Sequence, residues 1–216
     1  NATVHLTGAP SDTGWLGTLA LDGAFAGKPL AGKATASLTT ASGLLELPSV
    51  DLLVGDNRIT GAIARTAEGP LSGRLNVDAP NLATLAALAL IDASGTGDAD
   101  IEFAPDGTRQ SVAVSFSGAN LATGTLSAAK VDGEIHIDDA FGAPLIRGNA
   151  SASRLAAGSF RLDTASATAS VANGATTFDA TVRGPDLALS GTGGLSGGAG
   201  AQTVRLDTLT GTAYRL

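Results

Sequence analysis

Four segments of the chain repeat one short pattern: a glycine, any residue, an apolar residue, a small or polar residue, a second apolar residue and a closing aspartate. They are residues 17–22, 73–78, 133–138 and 158–163, and a fifth copy at 204–207 lacks the glycine. Successive side chains of a β-strand point to opposite faces, so this spacing places the two apolar residues together. The pattern therefore predicts strands with one apolar and one polar face, each running into a turn.

Comparable alternation recurs along the whole chain, in about sixteen strand-like segments separated by short turn signals. Short connections make neighbouring strands antiparallel, which predicts an all-β fold built as a long antiparallel meander. Hydrophobic residues are 44% of the chain, yet aromatic residues are only 4%. Because aromatic side chains usually supply much of the buried area of a dense core, we expect a thin, elongated sheet.

Several glycines share the strand parity of the apolar residues: Gly17, Gly32, Gly61, Gly73, Gly133 and Gly148. Removing side-chain bulk at such positions lets a sheet bend. We therefore expect a strongly curled sheet that forms an elongated half-pipe with an apolar interior. The pattern is equally compatible with a closed core, in which layers of sheet pack on each other as a sandwich or barrel, and the sequence leaves both arrangements open.

Two segments depart from the strand pattern. Residues 81–91 follow a proline, begin with the N-capping residue Asn81 and carry leucine and alanine at helical spacing, which predicts one short helix. Residues 191–200 are rich in glycine and predict a flexible loop or a worn hairpin. Residues 1–216 are otherwise continuous in pattern, and we interpret them as a single elongated β segment of a longer protein.

Composition and residue placement exclude several function classes. The chain has no cysteine, which excludes disulfides and thiolate metal sites, and its net charge of −7 argues against nucleic acid as a partner. His5 and His136 take outward-facing strand positions, and no histidine follows the hydrolase-like motif around Ser196. We therefore predict no catalytic site, no metal site and no cofactor, so the chain is not expected to be an enzyme.

Three segments carry a more specific pattern: LLVGDNRITGAI at 52–63, LSGRLNVDAPNLATLAAL at 71–88 and DASGTGDADIEF at 92–103. Similar stretches follow at 110–121 (QSVAVSFSGANL) and 141–148 (FGAPLIRG). Together these segments resemble the TamB family of translocation and assembly module proteins, whose relatives include the AsmA-like proteins of the Gram-negative cell envelope.

That resemblance implies a periplasmic segment of a longer protein anchored in the inner membrane. Its groove would shield phospholipid acyl chains between the inner and outer membranes. A second implied partner is an Omp85-type outer-membrane barrel protein, bound through parts of the longer protein outside this chain. We also expect end-to-end self-association of the chain. The residues expected to line the lipid groove are Leu19, Leu21, Ile59, Ile63, Leu75, Val77, Ile101, Phe103, Val112, Val114, Phe116, Ile135, Ile137, Phe160 and Leu162.

A rival interpretation is a structural or adhesive β-protein with no ligand. It would be a closed sandwich, or a β-helical passenger whose coils repeat with a constant period. The spacing between copies of the strand pattern is uneven, which weakens the β-helical form of this interpretation.

Overall fold

The computed structural model of the protein describes residues 1–88, 90–198 and 201–213. This part of the chain consists of β-strands and one short helix, α1 (Leu82–Leu88), which lies between β6 and β7. The strands are β1 (Ala2–Ser11), β2 (Gly14–Phe25), β3 (Lys28–Thr39), β4 (Leu44–Val54), β5 (Asn57–Arg65), β6 (Leu71–Ala79), β7 (Ser94–Asp106), β8 (Arg109–Thr123), β9 (Leu126–Asp138), β10 (Leu145–Ala157), β11 (Phe160–Ala172), β12 (Ala175–Arg183), β13 (Leu187–Gly198) and β14 (Ala201–Ala213).

All 14 strands form one antiparallel sheet in which the strand order follows the chain order. Each inner strand pairs with the strands before and after it, and β1 and β14 are the two edges. Short connections favour this arrangement because they join each strand directly to an antiparallel neighbour. The predicted all-β antiparallel meander is therefore confirmed. The strands of the described residues belong to this one open sheet, so they do not form the two packed layers of a sandwich.

The sheet is not strongly curled. The strong curl predicted from the glycines at apolar strand positions is therefore wrong. Sharp bends in sheets usually arise at β-bulges, where one strand carries an extra residue. Shifts of register occur in the β3–β4, β4–β5, β7–β8 and β13–β14 pairs. The consecutive pairs from β8 to β12 show no shift of register, although Asn120 and Arg154 are skipped in the pairing of their strands.

Some of these glycines serve close approach between strands. Gly61 and Gly148 have φ angles of 150° and 143°, in a region that L-residues rarely adopt. A Cβ atom at Gly61 would collide with the carbonyl oxygen of Arg74, and one at Gly148 would collide with that of Glu134. Each glycine therefore relieves one local clash across a strand pair, and such local relief does not add up to a curled sheet.

Aromatic rings of the sheet lie over glycines of neighbouring strands. A Cβ atom added to Gly133 would lie 2.7 Å from the ring of Phe116, and one added to Gly193 would lie 2.5 Å from the ring of Phe178. In each pair the ring occupies the space that the missing side chain leaves, and so protects the exposed glycine backbone. These two rings thus cover one glycine in each of two pairs of neighbouring strands.

The sheet buries few side chains fully because it is a single layer. The fully buried apolar side chains found among the described residues are Ala36, Val54 and Ala79. Most other apolar side chains in the strands are half-buried, packed by neighbours within the sheet and uncovered above. Cohesion of the fold therefore depends on strand pairing and lateral contacts rather than on a closed core.

A buried glutamine completes the sheet where a proline interrupts it. Continuing the β6–β7 register brings Leu71 opposite Pro105, which has no N–H to donate. Gln110, only 3% exposed, pairs with Pro105 from β8 and supplies the missing groups. Its Oε1 accepts from the Leu71 N–H at 2.7 Å, and its Nε2 donates to the Leu71 carbonyl at 3.1 Å. One side-chain amide thus replaces the ladder contacts that proline cannot make.

Helix α1 is shorter than the predicted helix over 81–91. Leu90 adopts the left-handed conformation with φ 57°, and its N–H donates to the Ala87 carbonyl at 3.2 Å. The Ile91 N–H donates to the Ala86 carbonyl at 2.9 Å. These two bonds form a Schellman-type helix end, which stops the helix despite the favourable composition of the segment. The part of the chain that the structure describes has no helix long and apolar enough to cross a membrane.

Of the two forms predicted for residues 191–200, the structure favours the hairpin, and the flexible loop is wrong for the described residues 191–198. Strand β13 continues to Gly198 and β14 begins at Ala201, and the two strands pair as a hairpin. Backbone hydrogen bonds of a ladder do not need large side chains, so a glycine-rich segment flanked by pairing strands can still form a strand. Residues 199–200 of this prediction, and residue 89 of the predicted helix, lie outside the described residues.

We predict that Gly148→Ala destabilises the protein by about 2 kcal/mol, because alanine is strained at this φ and its Cβ meets a backbone oxygen. The matched control is Gly194→Ala, since Gly194 lies inside a strand and its added Cβ would be no closer than 3.4 Å to another atom. That control is expected to change stability by less than about 1 kcal/mol. Urea unfolding followed by circular dichroism gives both values. Equal effects of the two substitutions would contradict the explanation.

We predict that Gln110→Ala costs about 2–4 kcal/mol of stability, because the Leu71 N–H and carbonyl lose their side-chain partner at the start of β6. Asn149→Ala, at an exposed position of β10, is the control and is expected to change stability by less than about 0.5 kcal/mol. Hydrogen exchange at Leu71 adds a local readout. Unchanged exchange of its amide in Gln110→Ala would refute the role given to the glutamine.

Candidate functional site: the apolar face of the sheet

The strand register carries apolar residues and glycines across the entire sheet. Directly paired residues point to the same face, so a set of successive partners forms a row perpendicular to the strands. The Leu21 row consists of Val4, Leu21, Gly32, Leu52, Ile59, Val77, Ala99, Phe116, Gly133, Ala150, Ala167, Ala180, Gly191 and Leu209. It crosses all 14 strands without a polar side chain.

A second row runs beside the first. The Leu75 row consists of Leu6, Leu19, Ala34, Val50, Gly61, Leu75, Ile101, Val114, Ile135, Gly148, Ala169, Phe178, Gly193 and Leu206. A shorter Ile63 row spans β4 to β10 and consists of Leu47, Ile63, Gly73, Phe103, Val112, Ile137 and Ile146. We call the surface formed by these three rows the apolar face.

The opposite face of the same strands is polar. The residues between the Leu21 and Leu75 rows are His5, Ala20, Lys33, Asp51, Thr60, Asn76, Asp100, Ser115, Glu134, Asn149, Thr168, Asp179, Thr192 and Thr208. Alanine is the one apolar member. Because the faces alternate residue by residue, every strand contributes to both, and charge is segregated from the three apolar rows across the whole sheet.

The predicted lining residues fall on the rows as follows. The Leu21 row contains Leu21, Ile59, Val77 and Phe116. The Leu75 row contains Leu19, Leu75, Ile101, Val114 and Ile135. The Ile63 row contains Ile63, Phe103, Val112 and Ile137. The start of β11 carries the last two predicted residues, Phe160 and Leu162. Phe160 is 67% exposed and Leu19 is 36% exposed, while the others are half-buried. No second layer of the described chain covers this face.

The alternation slips by one residue near the ends of β8 and β10. Asn120 and Arg154 have φ angles of 52° and 47° and are skipped in the pairing of their strands. Past this irregularity, Leu121 and Leu155 line the same cavity as Val182. Sequence reasoning missed both leucines, because they lie at the wrong parity for a regular strand. Their odd spacing from the preceding apolar residues was the available signal.

Further members of the rows were also missed by the prediction. The register places on the apolar face five residues from strands in which the repeated pattern is weaker: Val50, Leu52, Phe178, Leu206 and Leu209. Alternation within each strand was the signal for them. Only the pairing, however, tells which of the two strand faces joins the rows.

Helix α1 sits beside the apolar face and is fixed by a buried asparagine. Asn57 is 0% exposed, and its Oδ1 accepts from the Asn81 N–H at 3.0 Å while its Nδ2 donates to the Val54 carbonyl at 3.0 Å. Leu82, the next residue, lines a cavity of about 550 Å³ together with residues of β8 to β12. The helix thus forms one wall of a depression in an otherwise open surface.

Ion pairs on the polar face are exposed and add little stability. Arg58 donates from two nitrogens to the carboxylate of Asp51, at 2.8 and 2.7 Å, and these bonds lower the pKa of Asp51 below its usual value. Hydrogen bonds from Lys130 and then Ser151 lower the pKa of Asp132 in the same direction. These groups keep the polar face charged at neutral pH, so this face stays in water.

A serine, a histidine and an aspartate meet on the polar face, but their geometry does not fit a catalytic triad. Ser111 Oγ and Asp138 Oδ1 both lie 3.0 Å from the same atom, His136 Nε2. A triad requires the serine and the aspartate to contact different ring nitrogens, so that one nitrogen takes the proton while the other is oriented. Within the described residues, no group of three His, Cys, Asp or Glu side chains is placed to hold a metal ion.

Comparison with protein-family models, with curated proteins and with solved structures gives no match for this chain.

Proposed function

We propose that this chain shields the alkyl chains of phospholipids on its apolar face, as a segment of a lipid-conducting protein. The observation that carries the proposal is the pair of rows that cross all 14 strands without a polar side chain and without a covering layer. Exposed apolar surface of this extent is uncommon on soluble proteins and usually marks a binding surface. The length of the rows, about 60 Å at about 4.8 Å per strand spacing, favours an elongated ligand path.

Alkyl chains gain about 0.8 kcal/mol per methylene removed from water. Along the rows the side chains are mostly aliphatic or absent, so neighbouring positions offer similar contacts. A series of weak, similar sites permits sliding, whereas one strong site would hold the lipid. The headgroup needs no pocket in this arrangement, because it stays in water at the margin of the apolar face.

The resemblance to the TamB family supports the cellular part of the proposal. On this basis the chain is a periplasmic part of an inner-membrane-anchored protein, and an Omp85-type partner binds elsewhere in the longer protein. The surface proposed is an open groove in place of a strongly curled half-pipe. A ligand-free structural role is the rival, and it would require another protein surface to cover the apolar face.

We predict that Leu75→Asp combined with Val114→Asp lowers phospholipid capture by about tenfold or more, because both charges enter the Leu75 row on either side of Ile101. The measurement is phospholipid per chain, by mass spectrometry of gently purified protein and by uptake of labelled phosphatidylethanolamine from vesicles. Circular dichroism verifies that the variant is folded.

The matched control is Ser72→Asp combined with Ala113→Asp. It adds the same charge to the same two strands, on the polar face. We expect this control to capture phospholipid like the unchanged protein. Equal capture by both double variants would contradict the proposed face. An unchanged protein that carries and takes up no phospholipid would favour the structural rival.

A further inference from the structure

We propose that the cavity beside α1 is a fixed site for a single unbranched alkyl chain. The cavity has a volume of about 550 Å³, within the range of small-molecule sites. This inference deepens the proposed function and rests on it, because it assigns one position on the apolar face where a lipid chain is held instead of sliding.

The walls of the cavity come from distant parts of the chain. Leu82 of α1 forms one wall, and Leu121 of β8, Leu155 of β10 and Val182 of β12 form others. The leucines of β8 and β10 reach it because the left-handed residues just before them shift the strand alternation by one. The irregularity in the strands therefore gathers large aliphatic side chains at one point of a sheet that elsewhere presents many alanines and glycines.

The lining identifies the chemistry of the occupant. Its large side chains are leucine and valine, and it has no aromatic ring, charged group or amide side chain. The hydroxyl of Thr123 already donates to the Asp92 carbonyl at 2.7 Å. None of the buried side-chain nitrogen or oxygen atoms of the described residues lacks a hydrogen-bond partner. Two exposed serines, Ser94 and Ser127, also line the cavity. The rest of the lining is aliphatic apart from Thr123, so a flexible alkyl chain matches it better than a ring or a charged headgroup.

The position of the cavity connects it with the rows. A second cavity of about 240 Å³ shares Leu82 and Leu121 with it and is also lined by Val77 and Phe116 of the Leu21 row. The two leucines thus stand between the open rows and the larger cavity. A chain that moves along the Leu21 row reaches this pair next, and entry past it surrounds the chain on more sides than the open face does.

The test uses cis-parinaric acid, a single-chain fatty acid that fluoresces when its chain leaves water. Ala165 lines the cavity, so Ala165→Phe would fill it. Thr168 lies three residues further along the same strand, on the polar face, and is exposed, so Thr168→Phe is the matched control. If Ala165→Phe fails to fold, Ala128→Phe fills the cavity from β9.

We expect the unchanged protein to bind the probe saturably at about one site per chain. Ala165→Phe should weaken that site by about tenfold or more, as follows from lost burial of two methylenes, and Thr168→Phe by less than about twofold. Equal binding by both variants, or binding without saturation, would overturn the inference. Phospholipid uptake measured in parallel separates the two ideas. If Ala165→Phe binds the probe and takes up phospholipid as the unchanged protein does, the cavity proposal is refuted and the proposed function stands. If the unchanged protein binds the probe at one site but takes up no phospholipid, the proposed function is refuted and the cavity proposal stands.

Discussion

Direct pairing between consecutive strands is the constraint on which the rest of the structure depends. Because each strand is paired with the next in a defined register, each member of the apolar rows pairs with an apolar residue or a glycine in the neighbouring strands. A slip by one residue in any pair would place the apolar positions of the remaining strands against polar ones. The two faces therefore exist as properties of the register and not of any single strand.

The alternation of single strands could be predicted from the sequence, whereas features that depend on backbone conformation could not. Leu75 and Val77 alternate with polar neighbours, and their shared face follows from strand geometry alone. Leu121 and Leu155 share a cavity only because left-handed residues precede them, and Asn120 and Arg154 give no clear local signal for that conformation. The same lack of signal explains the helix end at Leu90, where a leucine takes the position that glycine usually occupies.

The inward-facing glycines illustrate a different limit of sequence reasoning. Their parity was correct, but their effect depends on what approaches them. At Gly148 it is a carbonyl oxygen of the preceding strand, and at Gly133 it is a carbonyl oxygen of the following strand together with the ring of Phe116. None of these contacts bends the sheet strongly. The neighbouring strand decides whether a glycine permits curvature, close approach of a backbone or cover by a ring. The sequence of a single strand does not reveal which residues of the neighbouring strand lie beside it.

Within the part of the chain that the structure describes, β1 and β14 do not pair with each other, and this has a consequence for how the protein unfolds. Each strand is held chiefly by two neighbours, and β1 and β14 by one, so the fold resembles a one-dimensional array in which stability is a sum of nearest-neighbour terms. Such arrays open from their ends, and their cooperativity is limited to the length over which neighbours remain coupled. Amide protection should therefore rise from the two edges toward the middle, and strands could be added or removed at either end without altering the packing of those in the centre.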